Sequence, residues 1–254
     1  MRIESIYRYP VKGLSAEALE EIALTPGRTL PEDRRFALAQ GDSPFDLAAP
    51  AWLPKRHFGC LMVNARLALV HSAFDARTGD LILRIPGTAP LIANTRSEEG
   101  RAAIAAALTV YLGEEARGTP RFLEAPGHSF SDVANKVVSI IGLSSLRALE
   151  QASGMTLDKL RFRANVYVSG GSPWAEFDWI GQEIQLGQAK LRVLKRIVRC
   201  PATEVNPSTG ERDARPPRWL RDHFGHADLG VYAEVIEGGR ICVGDALEAL
   251  EPAG

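Results

Sequence analysis

The stretch Gly181–Pro201, GQEIQLGQAKLRVLKRIVRCP, decides the fold. Glu183–Leu186 and Lys190–Val198 are short runs rich in aliphatic and β-branched residues. Gly181 and Gly187 punctuate them, and Pro201 stops the second run because it has no backbone N–H to give a ladder. This pattern predicts strands. It recurs on both sides. Upstream, Arg2–Tyr9 stops at Pro10, Ala18–Leu24 at Pro26-Gly27, and Arg35–Ala39 before Gly41. Leu61–Val70 and Leu81–Ile85 are further strand candidates, with Thr78-Gly79-Asp80 as the hairpin turn between them. Ala164–Ser169, Val231–Ile236 and Ala246–Leu250 follow downstream. Many short strands at short intervals predict a barrel rather than alternating βαβ units.

Two segments depart from that pattern. Ser97–Leu112 places Ile104, Leu108 and Tyr111/Leu112 on one face at helical spacing, with Glu98 and Glu99 in the first turn and Gly113 after the last. These are a helix and its start and stop signals. Ser144–Ser153, with Leu146 and Leu149 on one side, predicts a second helix, capped by a serine and ended by Gly154. The first helix and the loop Gly113–His128 form the expected seam between two parts. Pro216-Pro217 before Arg218-Trp219 reads as a rigid loop.

The chain has 254 residues, 45% hydrophobic and 24% charged, which fits a globular protein with a full core. No apolar run is long enough for a transmembrane helix. The start, MRIESIYRYPVKG, lacks an apolar signal core, so a cytoplasmic location is expected. A net charge of −1 argues against bulk electrostatic binding to nucleic acid or membrane. The three cysteines, Cys60, Cys200 and Cys242, contain no C-x-x-C pair and fit a reducing compartment. No G-x-S-x-G, P-loop or G-x-G-x-x-G occurs, so hydrolase, NTPase and dinucleotide readings lose their usual support.

Charge is uneven along this near-neutral chain. Lys190–Arg218 carries Arg192, Lys195, Arg196, Arg199, Arg212, Arg215 and Arg218, with Cys200 in its middle. Cations beside a thiol favour the thiolate, the form that ligates metals and acts as a nucleophile. Cys200 falls where strand gives way to loop, a usual place for a site. Thr203, Asn206 and Ser208 supply short polar groups after it. Cys60 and Cys242 sit in apolar strand contexts and read as core thiols. His223-x-x-His226 with Asp222 and Asp228, and His57-x-x-Cys60, have metal-like but unspecific spacing.

Five motifs in order carry a resemblance across nearly the whole chain. Arg199-Cys200-Pro201-Ala202-Thr203-Glu204-Val205-Asn206-Pro207 with Thr209-Gly210, and Arg161-Phe162-Arg163-Ala164-Asn165 with Trp174-Ala175-Glu176 and Trp179-Ile180-Gly181, resemble the MOSC domain, the molybdenum cofactor sulfurase C-terminal domain. Tyr9-Pro10-Val11-Lys12-Gly13 and Asp33-Arg34-Arg35-Phe36 resemble the N-terminal β-barrel domain that precedes it in the amidoxime-reducing enzymes and their bacterial relatives. Leu229-Gly230-Val231-Tyr232 and Val243-Gly244-Asp245 match in order. The resemblance implies a mainly β (α+β) fold. An N-terminal barrel-like domain would span residues 1–112 and a MOSC β-barrel residues 113–254, with a few short helices.

The resemblance also implies a molybdenum cofactor, Mo-molybdopterin. Cys200 matches the metal ligand, Lys12 and Arg34 match holders of the cofactor phosphate, and Arg163 and Asn165 match positions lining the pterin. Arg199 and Thr203 flank the ligand, and Asp132 resembles an acid near the open face of the metal. Gly13 stands where many relatives have serine, and Glu204 where a second threonine is common. No pyridoxal phosphate is expected from this chain. The implied function is reduction of small N-hydroxylated or N-oxide substrates, with electrons from a separate electron-transfer protein. The alternatives are a cofactor or persulfide carrier using Cys200, and an inert barrel that buries it.

Overall fold

The computed structural model describes residues 1–125 and 127–250. In chain order the elements are β1 (Arg2–Arg8), β2 (Glu17–Leu19), β3 (Glu21–Leu24), β4 (Phe36–Ala39), β5 (His71–Asp75), β6 (Asp80–Arg84), β7 (Leu91–Asn94), α1 (Glu98–Leu112), β8 (Arg121–Glu124), β9 (Val138–Gly142), α2 (Leu143–Ser153), β10 (Val166–Ser169), β11 (Glu183–Leu186), β12 (Ala189–Val198), α3 (Pro216–Phe224), β13 (Asp228–Glu237), β14 (Gly239–Cys242) and β15 (Leu247–Ala249). The fold is mainly β, as the strand spacing predicts.

Eight strands form one curled half-barrel sheet in the order β15-β11-β12-β13-β9-β10-β1-β2. β9 and β10 run parallel, with α2 between them in the chain. Alternation along the strands puts one face of the sheet on a core: Val166 and Val168 of β10 and Leu191 and Val193 of β12 fall in one buried cluster, and Ile3 and Ile6 of β1 join it across a register shift between Ile3 and Ser5. The opposite face is covered by α2 and α3, where Leu146, Leu149 and Leu220 pack on Ile141 and Tyr167. A smaller unit is built from the β4–β8 ribbon, the β5-β6-β7 sheet and α1. Phe36 is fully buried there between Phe74 and Phe122.

The chain does not divide its hydrogen bonds at the sequence seam. β1 pairs with β10 and β3 with β14, so the residues up to Leu24 belong to the large body. The small unit lies between them and the rest in sequence. α1 forms as expected: the Ser97 side chain accepts from Gly100 N, and Gly113 closes the helix with a positive φ.

Some elements differ from the sequence expectation. Leu61–Val70 is not a strand but a run of turns ending in the 3-10 helix Ala65–Leu69, and the hairpin strand is β5, just after it. The buried residues Leu61, Leu67 and Val70 recur at multiples of three, the period of a 3-10 helix rather than of a strand. α2 has no serine cap, because it starts directly from Gly142. Ser144 and Ser145 instead bond to Gly171 O and to Glu176 Oε2. Pro216-Pro217 opens α3 instead of forming a loop, since a first helical turn leaves its N–H groups unused. β7, β8, β9 and β14 also went unmarked by the turn signals. No helix among the described residues is long and apolar enough to cross a membrane.

Gly230 fixes the start of β13. Its φ is +78°, and an added Cβ would lie 2.4 Å from the Ile140 carbonyl oxygen on the neighbouring strand. Gly230→Ala is therefore expected to destabilise the fold by at least about 2 kcal/mol, from strain and overlap together. Urea unfolding followed by circular dichroism would show a lower midpoint at an unchanged slope.

Candidate functional site

The two units meet at a cavity of about 310 Å³. The β1–β2 connection brings Lys12 and Gly13, the turn before β4 brings Asp33 and Arg34, and the β8–β9 connection brings Asp132. The segment before β10 brings Arg161–Asn165, and the end of β12 brings Arg199, Cys200 and Thr203. All eight residues singled out from the sequence line this one cavity: Lys12, Arg34, Asp132, Arg163, Asn165, Arg199, Cys200 and Thr203. Eight cationic side chains and two carboxylates are among its lining residues.

Its geometry is set by a few local devices. Gly13 takes φ +86°, and a Cβ there would sit 3.0 Å from the Gly59 carbonyl oxygen, so a serine would be strained. That is a backbone reason for the departure from the family pattern. Arg34 and Arg163 are non-glycine residues at φ +49° and +53°. Such left-handed conformations cost about 1–3 kcal/mol each and need outside support. The support is mutual: Arg34 Nη2 donates to Arg163 O at 2.8 Å, and both guanidinium carbons lie over the Tyr9 ring, at 4.4 and 4.3 Å. Asp33 anchors the group, accepting from Arg34 Nη1 and from Tyr9 N at 2.8 Å.

The charges differ in what answers them. Arg34 has Asp33, which, against the effect of burial, holds it protonated. Arg163 donates to Leu14 O at 2.7 Å and has no carboxylate partner among the described residues. Burial, joined by the charge of Arg34, pulls its pKa down to about 10, still charged at neutral pH. Burial pushes Tyr9 up to about 12. Lys12, only 7% exposed, donates to Phe130 O at 2.9 Å and to Asp132 Oδ1 at 2.5 Å. Asp132 also receives Lys55 Nζ at 3.3 Å on Oδ2. Burial would raise the Asp132 carboxyl, but Lys12 and Lys55 hold it well below the usual carboxylate range.

Three of the eight residues spend their polar atoms on the protein itself. Asn165 Oδ1 accepts from Ser139 N and Oγ, and its amide donates to Tyr7 O, tying β9, β10 and β1 together. Arg199 donates to Phe162 O and Leu229 O. Thr203 Oγ1 donates to Cys200 O at 2.9 Å and closes the turn after the cysteine. Cys200 is half-buried and free.

Sequence reading missed Lys55, whose Nζ stands 2.9 Å from Cys200 Sγ. It also missed the use of Arg161, which bonds Thr203 O, Glu204 O and Asp213 and leaves a buried Nε without a partner. The R-x-R spacing of Arg161 and Arg163 was its only signal. The basic run is only partly at the cavity. Lys195, Arg196 and Arg199 line it, whereas Lys190 and Arg192 pair with Glu237 and Glu183 on the surface. Cys60 is buried, as expected, but lines the cavity, and Cys242 is half-buried beside Glu21 rather than in a core. His226 Nδ1 accepts from Asp228 N, and its ring packs against Trp174 and Phe177. Among the described residues no group of three or more His, Cys, Asp or Glu side chains is arranged to hold a metal.

These features define a half-barrel protein with one cationic cavity and a free thiol at its wall. The chain belongs to the MOSC family: the MOSC N-terminal β-barrel domain matches residues 1–119 and the MOSC domain residues 125–248. MOSC domains are linked to molybdenum-cofactor binding or sulfurase-like function. Among solved structures, the YUAD protein from Bacillus subtilis is 16% identical, with 98% of this chain and 94% of that chain covered and a TM-score of 0.47. YiiM from Geobacillus stearothermophilus is 18% identical over 45% of this chain and 54% of its own, with a TM-score of 0.36. Comparison with curated proteins gave no match.

A carboxyl held below its unfolded value stabilises the fold above that value and loses the effect as pH falls through the folded value. Asp132→Asn should therefore lower the urea midpoint at pH 7. The gap from wild type should narrow below about pH 4, where the unfolded carboxyl takes up its proton. Paired urea titrations at pH 7 and pH 3 check the sign.

Proposed function

We propose that the cavity receives the phosphorylated pterin–dithiolene group that carries molybdenum. The loaded protein then reduces small N-hydroxylated or N-oxide substrates, whose oxygen leaves as water, using two electrons from a separate protein and two protons from solvent. One observation carries this reading: a free thiol shares a cavity with cations that outnumber carboxylates eight to two. A fixed cationic cavity calls for an anionic guest. The chain's own donors fit that guest. Among the described residues Arg163 lacks an acidic partner and the buried Arg161 Nε is unpaired, and a cysteine sulfur suits a soft metal centre.

Lys12 and Arg34 would hold the phosphate, Arg163 would face the pterin with Asn165 fixing the wall behind it, and Cys200 would ligate the metal. When bound, the group supplies the oxygen-atom and electron chemistry. The protein's part is to bind, orient and exclude. Arg199 and Thr203 act on the sulfur indirectly, since they fix the strand end and turn that carry Cys200. Asp132 is held ionised by Lys12 and Lys55, so in this arrangement its carboxylate oxygens accept hydrogen bonds and orient the two lysines, and it is a poor acid and a poor base at neutral pH. The amidoxime-reducing enzymes, which the chain resembles, supply the substrate class in this reading.

Molybdenum content, with pterin fluorescence after oxidative release, tests the reading on protein from a cofactor-competent host. Near-stoichiometric metal is expected in wild type, with loss in Cys200→Ser. Lys12→Ala and Arg34→Ala each remove a charge-assisted bond worth roughly 1.5–3 kcal/mol and should weaken cofactor retention by about ten- to a hundredfold. Loaded protein given a chemical reductant should turn over a panel of hydroxylamines, amidoximes and N-oxides. Wild type without metal or pterin, but with a persulfide on Cys200 in intact-mass spectra, would replace this reading with the carrier.

A further inference from the structure

Lys55 is placed at some cost. It sits on the 3-10 turn Lys55–His57, in the connection between β4 and β5, and reaches to the far wall of the cavity at the end of β12. Its side chain is 23% exposed, so much of the ammonium's hydration is gone. Two groups answer that loss. Asp132 Oδ2 stands 3.3 Å away, while the same carboxylate gives its closer contact, 2.5 Å, to Lys12. The shortest contact Lys55 makes is to Cys200 Sγ, at 2.9 Å. A neutral thiol sulfur is a weak acceptor. A metal-bound thiolate carries negative charge and is a strong one. The arrangement makes physical sense when the sulfur is a ligand.

Resting on the function proposed above, we propose that Lys55 is a positioning residue for the metal ligand. Its ammonium donates to Cys200 Sγ and Asp132 Oδ2 together, fixing the sulfur's orientation and drawing electron density from it. A hydrogen bond and a positive charge at a ligating sulfur weaken its donation to the metal and favour the reduced state. The contact also joins the units, since Lys55 comes from the smaller one and Cys200 from the larger sheet. Lys55 is not assigned a bond to the substrate or a place among the phosphate holders. Its effect passes through the sulfur.

The test is a redox titration of the molybdenum, followed by the Mo(V) electron paramagnetic resonance signal, in wild type, Lys55→Met, Lys55→Gln and Lys55→Arg. Thermal unfolding confirms that each variant folds, and metal content is measured beside each titration. Lys55→Met should keep bound metal but shift its midpoint downward by at least a tenfold change in the reduction equilibrium, about 59 mV for one electron. Lys55→Arg, which keeps both charge and donor, should restore the wild-type midpoint. Lys55→Gln, a donor without charge, should fall between. Identical midpoints in wild type, Met and Arg variants would overturn the inference while leaving the proposed function standing. A Met variant that folds without metal, beside a Gln variant with metal at the wild-type midpoint, would also overturn it. Metal-free wild type would overturn the function itself and this inference with it.

Discussion

One carboxylate, Asp132, holds the cavity together. Lys12 arrives from the start of the chain and Lys55 from the smaller unit, and both end on its two oxygens. Without it two lysines would face each other in a space already crowded with guanidinium groups. Asp33 plays the matching role deeper in, where it gathers Arg34 and the backbone of Tyr9. Two acids thus organise a cavity whose lining is otherwise strongly positive. The balance is incomplete, since among the described residues Arg163 hydrogen-bonds only a carbonyl. Charge left over at fixed positions is what an anionic guest would meet.

The backbone bears its share of this arrangement. Arg34 and Arg163 sit in a conformation that side chains avoid, and each props the other through a carbonyl bond and the shared Tyr9 ring. Gly13 and Gly230 both take positive φ, and a side chain would crowd a carbonyl oxygen at the first and overlap one at the second. Leu229, next to Gly230, offers the carbonyl that receives Arg199, and Arg199 immediately precedes Cys200. The backbone that carries the sulfur is therefore anchored through Arg199, by its N–H to Ala227 O and by its guanidinium to Leu229 O and Phe162 O.

Local features of this fold were legible where the cause is local. α1 is announced by Ser97, its first-turn acids and Gly113, and β11 and β12 by their glycines and Pro201. Leu61–Val70 deceived because its buried residues repeat every third position, which a count of aliphatic residues cannot distinguish from a strand. β9, Val138–Gly142, is buried on both faces and so shows no alternation. The cavity residues were named by resemblance, and the fold gathers them, but the division of labour among them was hidden. Asn165, Arg199 and Thr203 turn out to hold the frame. Lys55 was out of reach of sequence reading. Its partner lies 145 positions away, and no spacing or cap encodes such a contact.

The pairing of β1 with β10 and of β3 with β14 has a consequence for synthesis. β1 and β2 pair with each other at once, yet β1 also waits for residues 166–169 and β3 for residues 239–242, both made much later. Contacts of such long sequence separation form late, after slow loop closure. The smaller unit, whose strands pair within residues 36–124, has no such wait. Lys12 and Cys200 become neighbours in one wall only after the large sheet has closed. The cavity wall that a guest would meet is therefore complete only once β10, β12 and β14 have been made and paired.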